Sequence, residues 1–408
     1  MRAAYLYFRL LVFLRRCHAQ NLSLVDLFKR TVQKYGSSVC FVYQDEEWTY
    51  NKVDELSNRV ANLFLSRGYR KGDEVALFLE NCPEYVCIWM GLAKIGVITS
   101  FINTNLRQDP LAHTINVIDA RAIIFSRNLA DAVKDAITFL KRKDTMDYYC
   151  FNARSSATSD VMAKNLDTLL EESSTSEEPL RNIKINFEDK LLYIYTSGTT
   201  GLPKAAIIRH SRCLWIGGAA QYVAQLKDFE TFYNPLPLYH TAGGLVFVSV
   251  VLVFGGKMII RNKFSASNFW KEAAKHGATV SQYIGEMCRY LLNQPHSPEE
   301  TKHQVRLMFG NGLRPHIWQE FQDRFNIPHI IEIYGATEGN ANLVNMFGRV
   351  GSVGFISRTF HKLYPVHLIK VNPETGEPIR NEQGLCIRCK PGERYLVYKT
   401  VQQKETTA

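Results

Sequence analysis

The stretch YIYTSGTTGLPK, residues 193–204, decides the fold of this chain. Its first part is apolar and aromatic, which predicts a buried strand. Hydroxyl-bearing residues and glycines follow at once. Glycine lets the backbone approach a phosphate closely, while amides and hydroxyls donate to its oxygens. The closing lysine adds a positive charge suited to phosphate. The candidate phosphate-binding residues are Tyr193, Ile194, Tyr195, Thr196, Ser197, Gly198, Thr199, Thr200, Gly201, Leu202, Pro203 and Lys204.

This loop differs from the P-loop of kinases and GTPases. The P-loop needs Gly-Lys followed by Ser or Thr, whereas here Pro203 precedes Lys204 and Ala205 follows it. A polar surface linker is the alternative interpretation. The preceding strand and the combination of glycines, threonines, proline and lysine disfavour it. We therefore interpret the stretch as a nucleotide-binding loop of another kind.

A second strand-end segment, YGATE at residues 334–338, follows the apolar run IIEI. Ligands of α/β proteins collect at the carboxyl ends of strands. Tyr334 offers a ring for stacking on a purine, and Thr337 is suited to bond a phosphate oxygen. Glu338 is a hard oxygen ligand for Mg²⁺ shared with ATP phosphates. Taken alone, Tyr334 reads more readily as a core tyrosine and Glu338 as part of a solvated turn. Together with the first loop, they predict half of a nucleotide site.

Helices and strands alternate along most of the chain. Apolar runs at Val39–Tyr43 and at residues 74–79, 97–102 and 121–126 predict strands, with helical periodicity between them. This alternation predicts parallel sheets in an α/β architecture. From about residue 351, short β-like runs predict a small barrel or an extra sheet. The apolar run at residues 244–255 is too short to span a bilayer and predicts a buried helix.

Composition and charge limit the classes of function. The 49 Lys and Arg residues outnumber the 39 Asp and Glu residues, and the net charge of +10 suits nucleotides, coenzyme A or an anionic membrane surface. No helix-turn-helix pattern, zinc-finger spacing or basic block is present, so no nucleic-acid partner is predicted. The nine cysteines are odd in number and irregularly spaced, which indicates a reducing compartment. The single C-x-x-C pair, Cys386 and Cys389, makes neither a zinc site nor a redox site by itself.

Residues 1–20 form a short hydrophobic and basic segment. Its apolar run is interrupted by Arg9 and falls short of the roughly 20 residues that span a bilayer. Its aromatic residues and flanking arginines are typical of an amphipathic anchor at a membrane surface. A signal peptide is disfavoured because no clean small-residue cleavage site follows.

The motif wording resembles the AMP-binding, adenylate-forming superfamily of acyl-CoA synthetases. YIYTSGTTGLPKAA is similar to the first nucleotide-binding motif of one branch, the fatty acid transport proteins or very long-chain acyl-CoA synthetases. Further stretches match that branch, among them PLYHTAG at 237–243, QYIGE at 282–286, GNGLR at 310–314 and YGATEGN at 334–340. The resemblance covers about residues 21–393.

The resemblance implies the architecture of the chain. It predicts an α/β fold of the acyl-CoA synthetase-like large N-terminal domain type, with stacked α/β subdomains plus a partial β-barrel. Residues 21–393 are the expected AMP-binding domain, within which 350–393 form a partial β-subdomain. Residues 394–408 are expected to be a divergent polar tail with no obvious packing partner. Because the resemblance stops after Glu393, the smaller C-terminal lid domain of the family is expected to be absent.

The resemblance also assigns roles to residues. It places Gly310, Asn311 and Gly312 against the adenine, and His240 near the acyl–phosphate junction. It makes Thr196 and Glu338 the metal ligands, and it has Gln282 line the acyl tunnel, although a buried strand explains Gln282 equally well. The expected catalytic residues are Lys204, Thr337, Glu338 and His240, and the remaining nucleotide contacts are Tyr334 and Gly335.

The implied reaction is that of a long-chain or very long-chain fatty acid–CoA ligase coupled to fatty acid uptake. Its cofactors and co-substrates are ATP or AMP, Mg²⁺ and coenzyme A. The chain is expected to associate with the endoplasmic reticulum or plasma membrane, with a cytosolic catalytic domain and a possible homodimer. Without the lid, nucleotide binding is expected to persist while acyl-CoA formation is weak.

Two alternatives differ in class from this ligase. The first is a non-catalytic, membrane-associated lipid-handling protein that keeps the nucleotide-binding fold. The second, a luciferase-like or aryl-acid adenylating enzyme, is disfavoured by the motif wording at 310–314 and 334–340.

Overall fold

The computed structural model describes residues 2–152, 162–197, 202–339, 341–356, 366–390, 393 and 395–399. Within them the helices are α1 (Arg2–Ala19), α2 (Leu24–Tyr35), α3 (Tyr50–Ser66), α4 (Pro83–Lys94), α5 (Gln108–Asn116), α6 (Ala130–Ile137), α7 (Leu166–Glu172), α8 (His210–Val223), α9 (Phe247–Phe254), α10 (Phe269–Lys275), α11 (Gly285–Leu292) and α12 (Pro315–Arg324). The strands are β1 (Val39–Tyr43), β2 (Glu46–Thr49), β3 (Glu74–Phe78), β4 (Ile98–Phe101), β5 (Ala122–Ser126), β6 (Asp147–Phe151), β7 (Lys164–Asn165), β8 (Lys190–Ser197), β9 (Pro203–Arg209), β10 (Thr231–Asn234), β11 (Lys257–Ile260), β12 (Val280–Ile284), β13 (Leu307–Asn311), β14 (His329–Tyr334), β15 (Leu343–Asn345), β16 (Val366–Lys370) and β17 (Tyr395–Lys399).

Two large sheets, mostly parallel, organise these elements. The seven-stranded sheet has the order β7-β6-β5-β3-β4-β8-β9, and the eight-stranded sheet has the order β15-β14-β13-β12-β10-β11-β1-β2. Antiparallel pairs occur at sheet edges, where β9 joins β8, β15 joins β14 and β2 joins β1. The predicted α/β architecture with parallel sheets is therefore confirmed.

The two sheets and their helices stack in layers. The largest core cluster joins both sheets through buried residues of α3, α4, α8 and α9, which form the central layer. Helices α5 and α6 cover the outer face of the seven-stranded sheet, and α10, α11 and α12 cover that of the eight-stranded sheet. Central helices buried on all sides are apolar all round, and α4 is buried along its whole length.

Local signals in the sequence explain several element boundaries. Ser23 caps α2 through a capping box with Asp26, which satisfies two backbone N–H groups at the start of the helix. Thr49 caps α3, and Pro83 occupies the first turn of α4, where no N–H partner is needed. The predicted buried helix at residues 244–255 is found as the π-helical turn Ala242–Val246 followed by α9.

The N-terminal segment forms helix α1, which packs on α8 and α9. The Phe13 ring lies 5.9 Å from that of Tyr222 and 5.2 Å from that of Phe254, measured between centroids. Leu6 and Leu10 are buried, whereas Tyr5 and Phe8 are 61% and 58% exposed. No helix among the described residues combines the length and apolarity that crossing a membrane requires.

The end of the chain differs from expectation. The polar tail 394–408 was expected to lack a partner, but β17 pairs antiparallel with β16 over five residue pairs, from Val366 opposite Lys399 to Lys370 opposite Tyr395. The prediction is wrong for residues 395–399. Backbone hydrogen bonds to a distant strand stabilise them, and composition alone does not reveal such a partner. Residues 400–408 lie outside the described part of the chain.

Candidate functional site

A cavity of about 440 Å³ lies at the carboxyl edge of the eight-stranded sheet, between that edge and helix α8. Its inner wall is apolar and is formed by α8, the π-helical turn and the four strands β12, β13, β14 and β15. The main apolar residues are Trp215, Ile216, Val223, Val246, Phe309 and Ile333. Its polar residues are Arg212, His240, Thr241, Gln282, Asn311, Thr337 and Asn342. An apolar cavity with a few convergent polar groups is the usual form of a small-molecule site.

The turn at the end of β13 is shaped by close backbone approach. A Cβ atom on Gly310 would lie 2.0 Å from the carbonyl oxygen of Tyr283 on the neighbouring strand, so only glycine fits there. Gly312 has a positive φ of +81°, a conformation that glycine adopts without strain. Gly310 and Asn311 both line the cavity, and Gly312 flanks it on the same turn.

A buried carboxylate fixes this turn. Glu332 is 3% exposed and accepts hydrogen bonds from the backbone N–H groups of Gly312 and Leu313. It also accepts one from the Tyr283 hydroxyl, at 2.5 Å. Burial raises the pKa of the Glu332 carboxyl above its ordinary value. Sequence reasoning missed this role, although a glutamate inside the apolar run IIEI was the available signal.

The segment of residues 334–339, which we call the cavity segment, is held from two sides. The Thr337 hydroxyl lies 2.8 Å from the Thr241 hydroxyl. Arg212 donates from Nη2 to the carbonyl oxygen of Gly339 at 2.6 Å and to that of Thr337 at 3.4 Å. Tyr334 is 46% exposed, and Glu338 is exposed at the edge of the cavity segment. A purine and its phosphates could therefore reach both side chains from solvent.

His240 stands at the mouth of the cavity. Its ring centroid lies 4.5 Å from that of Tyr239, and one side of the residue is open to solvent. The protein atoms around the imidazole desolvate it and lower its pKa below the ordinary value. Desolvation therefore favours the neutral imidazole, which suits a hydrogen-bonding role better than that of a fixed positive charge.

The first predicted loop, residues 193–204, spans the hairpin of β8 and β9 at the edge of the seven-stranded sheet. In its register, Thr196 lies opposite Lys204 and Ser197 lies opposite Pro203. Directly opposed residues of an antiparallel pair share a face, so Thr196 and Lys204 extend from one face of the hairpin. The predicted contacts Gly198, Thr199, Thr200 and Gly201 lie outside the described residues.

The aromatic residues of this hairpin have packing partners. Tyr193 donates a hydrogen bond to Glu74 at 2.5 Å, and the Tyr195 hydroxyl donates to the carbonyl oxygen of Thr114. Tyr195 also lies 2.8 Å from the Ser100 hydroxyl, and Ile194 is buried between the sheets. These side chains anchor the strand that carries the loop.

The structure divides the predicted site residues between two places. His240, Gly310, Asn311, Gly335 and Thr337 share the 440 Å³ cavity. A separate cavity of about 620 Å³ is bordered by residues of the hairpin, namely Tyr193, Leu202, Pro203 and Lys204. No described residue of the hairpin lines the first cavity.

Sequence reasoning missed the α8 wall. Residues 212, 215, 216, 219, 220 and 223 of α8 line the cavity at helical spacing, so they occupy one face. The opposite face of α8 is also covered, because Gly218 lies under Leu10 and Phe13 of α1. A helix buried on both faces shows no amphipathic pattern, which is why the sequence did not mark the cavity face.

Comparison with known proteins identifies the family. The AMP-binding enzyme family matches residues 28–391 of this chain. The chain belongs to this AMP-binding family.

Curated proteins similar to this member of the AMP-binding family are long-chain fatty acid transport proteins. Protein 1 of Mus musculus is 45% identical over 391 residues, covering 96% of this chain and 58% of the relative. Protein 2 of Rattus norvegicus is 38% identical over 376 residues, covering 91% of this chain and 59% of the relative. The chain thus spans somewhat less than two thirds of these relatives, and the expected resemblance to the transport-protein branch is confirmed.

Solved structures confirm the fold of the AMP-binding family. A Mycobacterium tuberculosis fatty acyl CoA synthetase superposes with a TM-score of 0.70 at 19% identity, covering 90% of this chain and 68% of that one. The anthranilate CoA ligase AuaEII, solved with anthranoyl-AMP, gives 0.74 at 19% identity, covering 89% and 68%. At these identities the likeness shows the fold alone. It supports the predicted acyl-CoA synthetase-like N-terminal architecture.

Proposed function

We propose that this chain binds ATP and a long-chain or very long-chain fatty acid and forms the acyl-adenylate, as the adenylating part of a fatty acid–CoA ligase of the transport-protein type. The 440 Å³ cavity carries the proposal, because its inner wall is apolar and its polar groups converge at the edge where the nucleotide motifs end. AMP-binding enzymes use ATP or AMP and coenzyme A. The long-chain fatty acid is proposed because the relatives are named as long-chain fatty acid transport proteins.

The acyl chain would occupy the apolar wall. Trp215, Ile216 and Phe309 offer surface that an alkyl chain removes from water, at roughly 25 cal/mol per Å² of apolar area. The carboxylate would then lie at the polar mouth near His240. Because desolvation favours the neutral imidazole of His240, that ring would orient the carboxylate by a hydrogen bond and leave a carboxylate oxygen free to react.

The nucleotide would lie along the strand ends. The Gly310 turn presents bare backbone on which a purine could rest, and the exposed Tyr334 ring is available for stacking. The Thr337 hydroxyl would donate to the α-phosphate. The hairpin loop, with Thr196 and Lys204 at its base, would hold the β- and γ-phosphates.

Mg²⁺ fits the donor chemistry of these residues. Among the described residues no group of three or more His, Cys, Asp or Glu side chains forms a metal cage. Mg²⁺ is commonly bound by one or two protein oxygens plus substrate phosphates, and the Glu338 carboxylate and Thr196 hydroxyl are hard oxygen donors of that kind. When bound, the ion neutralises phosphate charge as pyrophosphate departs.

The proposed reaction has two steps. A carboxylate oxygen attacks the α-phosphorus of ATP, a new O–P bond forms, and the bond to the bridging oxygen breaks to release pyrophosphate. The coenzyme A thiol then displaces AMP from the acyl carbon. The fatty carboxylate is already ionised, so the first step needs no strong base. It depends on positioning by His240 and Thr337 and on charge neutralisation by Lys204.

A membrane surface is the proposed source of the fatty acid. Helix α1 exposes Tyr5 and Phe8 and carries no acidic residue. Its exposed arginines are Arg2, Arg9, Arg15 and Arg16. Basic and aromatic side chains on one exposed face suit an anionic lipid surface. Sedimentation with vesicles of phosphatidylcholine and phosphatidylserine tests this. Phe8→Ser should reduce binding, whereas Phe347→Ser, at an equally exposed phenylalanine outside α1, should not.

Pyrophosphate exchange into ATP, driven by palmitate, tests the proposed reaction. The chain should catalyse exchange, and Lys204→Met and Glu338→Gln should each reduce it at least about tenfold, because charged hydrogen-bond partners of phosphate contribute roughly 1.5–3 kcal/mol. Lys271→Met is the matched control, because Lys271 is exposed and belongs neither to the nucleotide motifs nor to the two cavities described above.

The outcomes separate the alternatives. Palmitate binding without exchange would favour the non-catalytic lipid-handling protein, and binding of neither palmitate nor ATP would overturn both. Exchange with benzoate but not palmitate would favour an aryl-acid enzyme. Thioester formation in the same preparation measures whether the second step is weak, and sedimentation velocity measures the predicted homodimer.

A further inference from the structure

The side chain of Arg212 reaches from helix α8 to the cavity segment. It lies in the first turn of α8, three positions before Trp215, and both residues line the cavity. Residues three apart on a helix are neighbours on its surface. Arg212 is thus placed between the apolar wall and the proposed nucleotide edge.

The Arg212 guanidinium forms hydrogen bonds to the backbone of the cavity segment. Nη2 of Arg212 donates to the carbonyl oxygens of Gly339 and Thr337, at 2.6 Å and 3.4 Å. Hydrogen bonds from a charged donor are shorter and stronger than neutral ones. On the other side, the Thr241 hydroxyl lies 2.8 Å from the Thr337 hydroxyl. The position of Thr337 therefore depends on where Arg212 is held.

Trp215 in turn supports Arg212. The guanidinium carbon lies 5.0 Å from the centre of the Trp215 ring, within the range of a cation–π contact. Arginine has much rotamer freedom to lose when it is fixed in one conformation. An acyl chain packed against the other parts of Trp215 would restrict that ring, and a restricted ring restricts the guanidinium stacked on it.

We propose that Arg212 is a positioning residue that couples acyl binding to nucleotide binding. Filling the cavity fixes Trp215 and Arg212, and Arg212 then holds Thr337 where its hydroxyl meets the α-phosphate. The first ligand to bind bears the entropy cost of ordering Trp215, Arg212 and Thr337. The second ligand then binds a site that is already ordered, so each ligand lowers the Kd of the other. This inference rests on the proposed function, because it takes the cavity as the acyl site and Thr337 as a nucleotide contact.

Calorimetric titration measures the coupling without turnover. The nucleotide probe is α,β-methylene-ATP with Mg²⁺, which cannot release pyrophosphate, titrated with and without palmitate. In the unaltered chain, palmitate should lower the nucleotide Kd about fivefold or more, the usual lower range of coupling between two sites. Arg212→Met should reduce this effect below about twofold while palmitate itself still binds.

Three variants separate coupling from a merely structural role. Trp215→Leu keeps an apolar wall but removes the ring beside the guanidinium, so it should also weaken the palmitate effect. Arg212→Lys keeps the charge but loses the planar fork, so it should restore only part of the effect. Arg59→Met is the matched control, because Arg59 also donates to backbone carbonyls, those of Leu170, Glu171 and Ser173, outside the cavity.

The results distinguish this inference from the proposed function. If Arg212→Met keeps the full palmitate effect, or Arg59→Met loses it equally, the positioning role is wrong. If the unaltered chain binds palmitate and nucleotide independently, the coupling is wrong while the proposed binding function stands. If it binds neither ligand, the proposed function itself fails.

Discussion

The β8–β9 hairpin and the cavity segment both follow a buried strand and both carry nucleotide motifs, yet they are stabilised in different ways. Tyrosine side chains anchor the hairpin to strand β3 through Glu74 and to helix α5 through the Thr114 carbonyl. The cavity segment is held by side chains that also line the cavity, Arg212 and Thr241. The hairpin is therefore anchored independently of the proposed acyl site, whereas the cavity segment shares its supports with that site.

The largest expected effect concerns the rigid backbone beside the cavity segment. Gly310→Ala would place a Cβ atom 2.0 Å from the Tyr283 carbonyl oxygen, whereas on Gly335 it would meet the end of the Asn342 side chain at 2.2 Å. A backbone strand cannot move aside, but a side chain can rotate. Gly310→Ala should lower the free energy of unfolding in urea by about 3 kcal/mol, and Gly335→Ala by about 1 kcal/mol. Equal losses would contradict the contrast between a fixed turn and a side-chain-held segment.

A smaller expected effect is the pH dependence of stability that arises from His210, between the hairpin and helix α8. His210 begins α8 directly after the hairpin, and its Nδ1 accepts a hydrogen bond from the Leu24 N–H at 3.1 Å. Burial lowers the pKa of His210 from 6.5 to about 4, so the folded state favours the neutral ring. This stabilisation is complete above pH 6.5 and is lost as pH falls toward 4, amounting to about 2 kcal/mol between pH 7 and pH 5.

Denaturant titrations at pH 7 and pH 5 measure this contribution. His210→Gln should be less stable at pH 7 and should lose about 2 kcal/mol less on acidification than the unaltered chain. His316→Gln, at an exposed histidine of α12, serves as the control and should keep the full dependence. An unchanged pH slope in His210→Gln would show that other groups dominate.

The smallest expected effects come from two hydroxyl deletions, one expected to change nucleotide affinity and the other expected to change stability. Thr337→Val removes the hydroxyl that faces Thr241 and the proposed α-phosphate, and should weaken Mg²⁺–ATP binding about tenfold with little loss of stability. Tyr195→Phe removes the hydroxyl that bonds the Thr114 carbonyl. It should cost about 1 kcal/mol of stability and leave the nucleotide Kd within about twofold. If the two variants exchange these effects, the division of roles between hairpin and cavity segment is wrong.

Much of the fold could be predicted from local signals. The run Val39–Tyr43 was predicted as a strand and is β1, and the capping box at Ser23 that begins α2 lies within four residues of sequence. These features depend on side-chain alternation and on hydrogen bonds within a few residues, which a sequence displays directly. The tail was misjudged because the pairing of β17 with β16 depends on a strand about 25 residues away in sequence, and edge pairing has a weak compositional signal.

The candidate site was predicted only in part. Gly310, Asn311, Thr337 and His240 were named from their motifs, and the structure brings them to one cavity. Glu332 was missed, because a carboxylate in a strand shows its role only when the backbone N–H groups it accepts from are known. The cavity contact of Lys204 stays a prediction, since this residue borders a different cavity in the described structure.

The sequence alone predicted which strand ends carry nucleotide chemistry, because the residue types that approach and bond a phosphate stand together in short motifs. Only the tertiary structure decided which side chains enclose the cavity. Arg212, Trp215 and Thr241 come from separate segments and acquire their roles by packing. Helix α8 is covered on both faces, so its hydrophobic pattern contains no record of which face lines a ligand site.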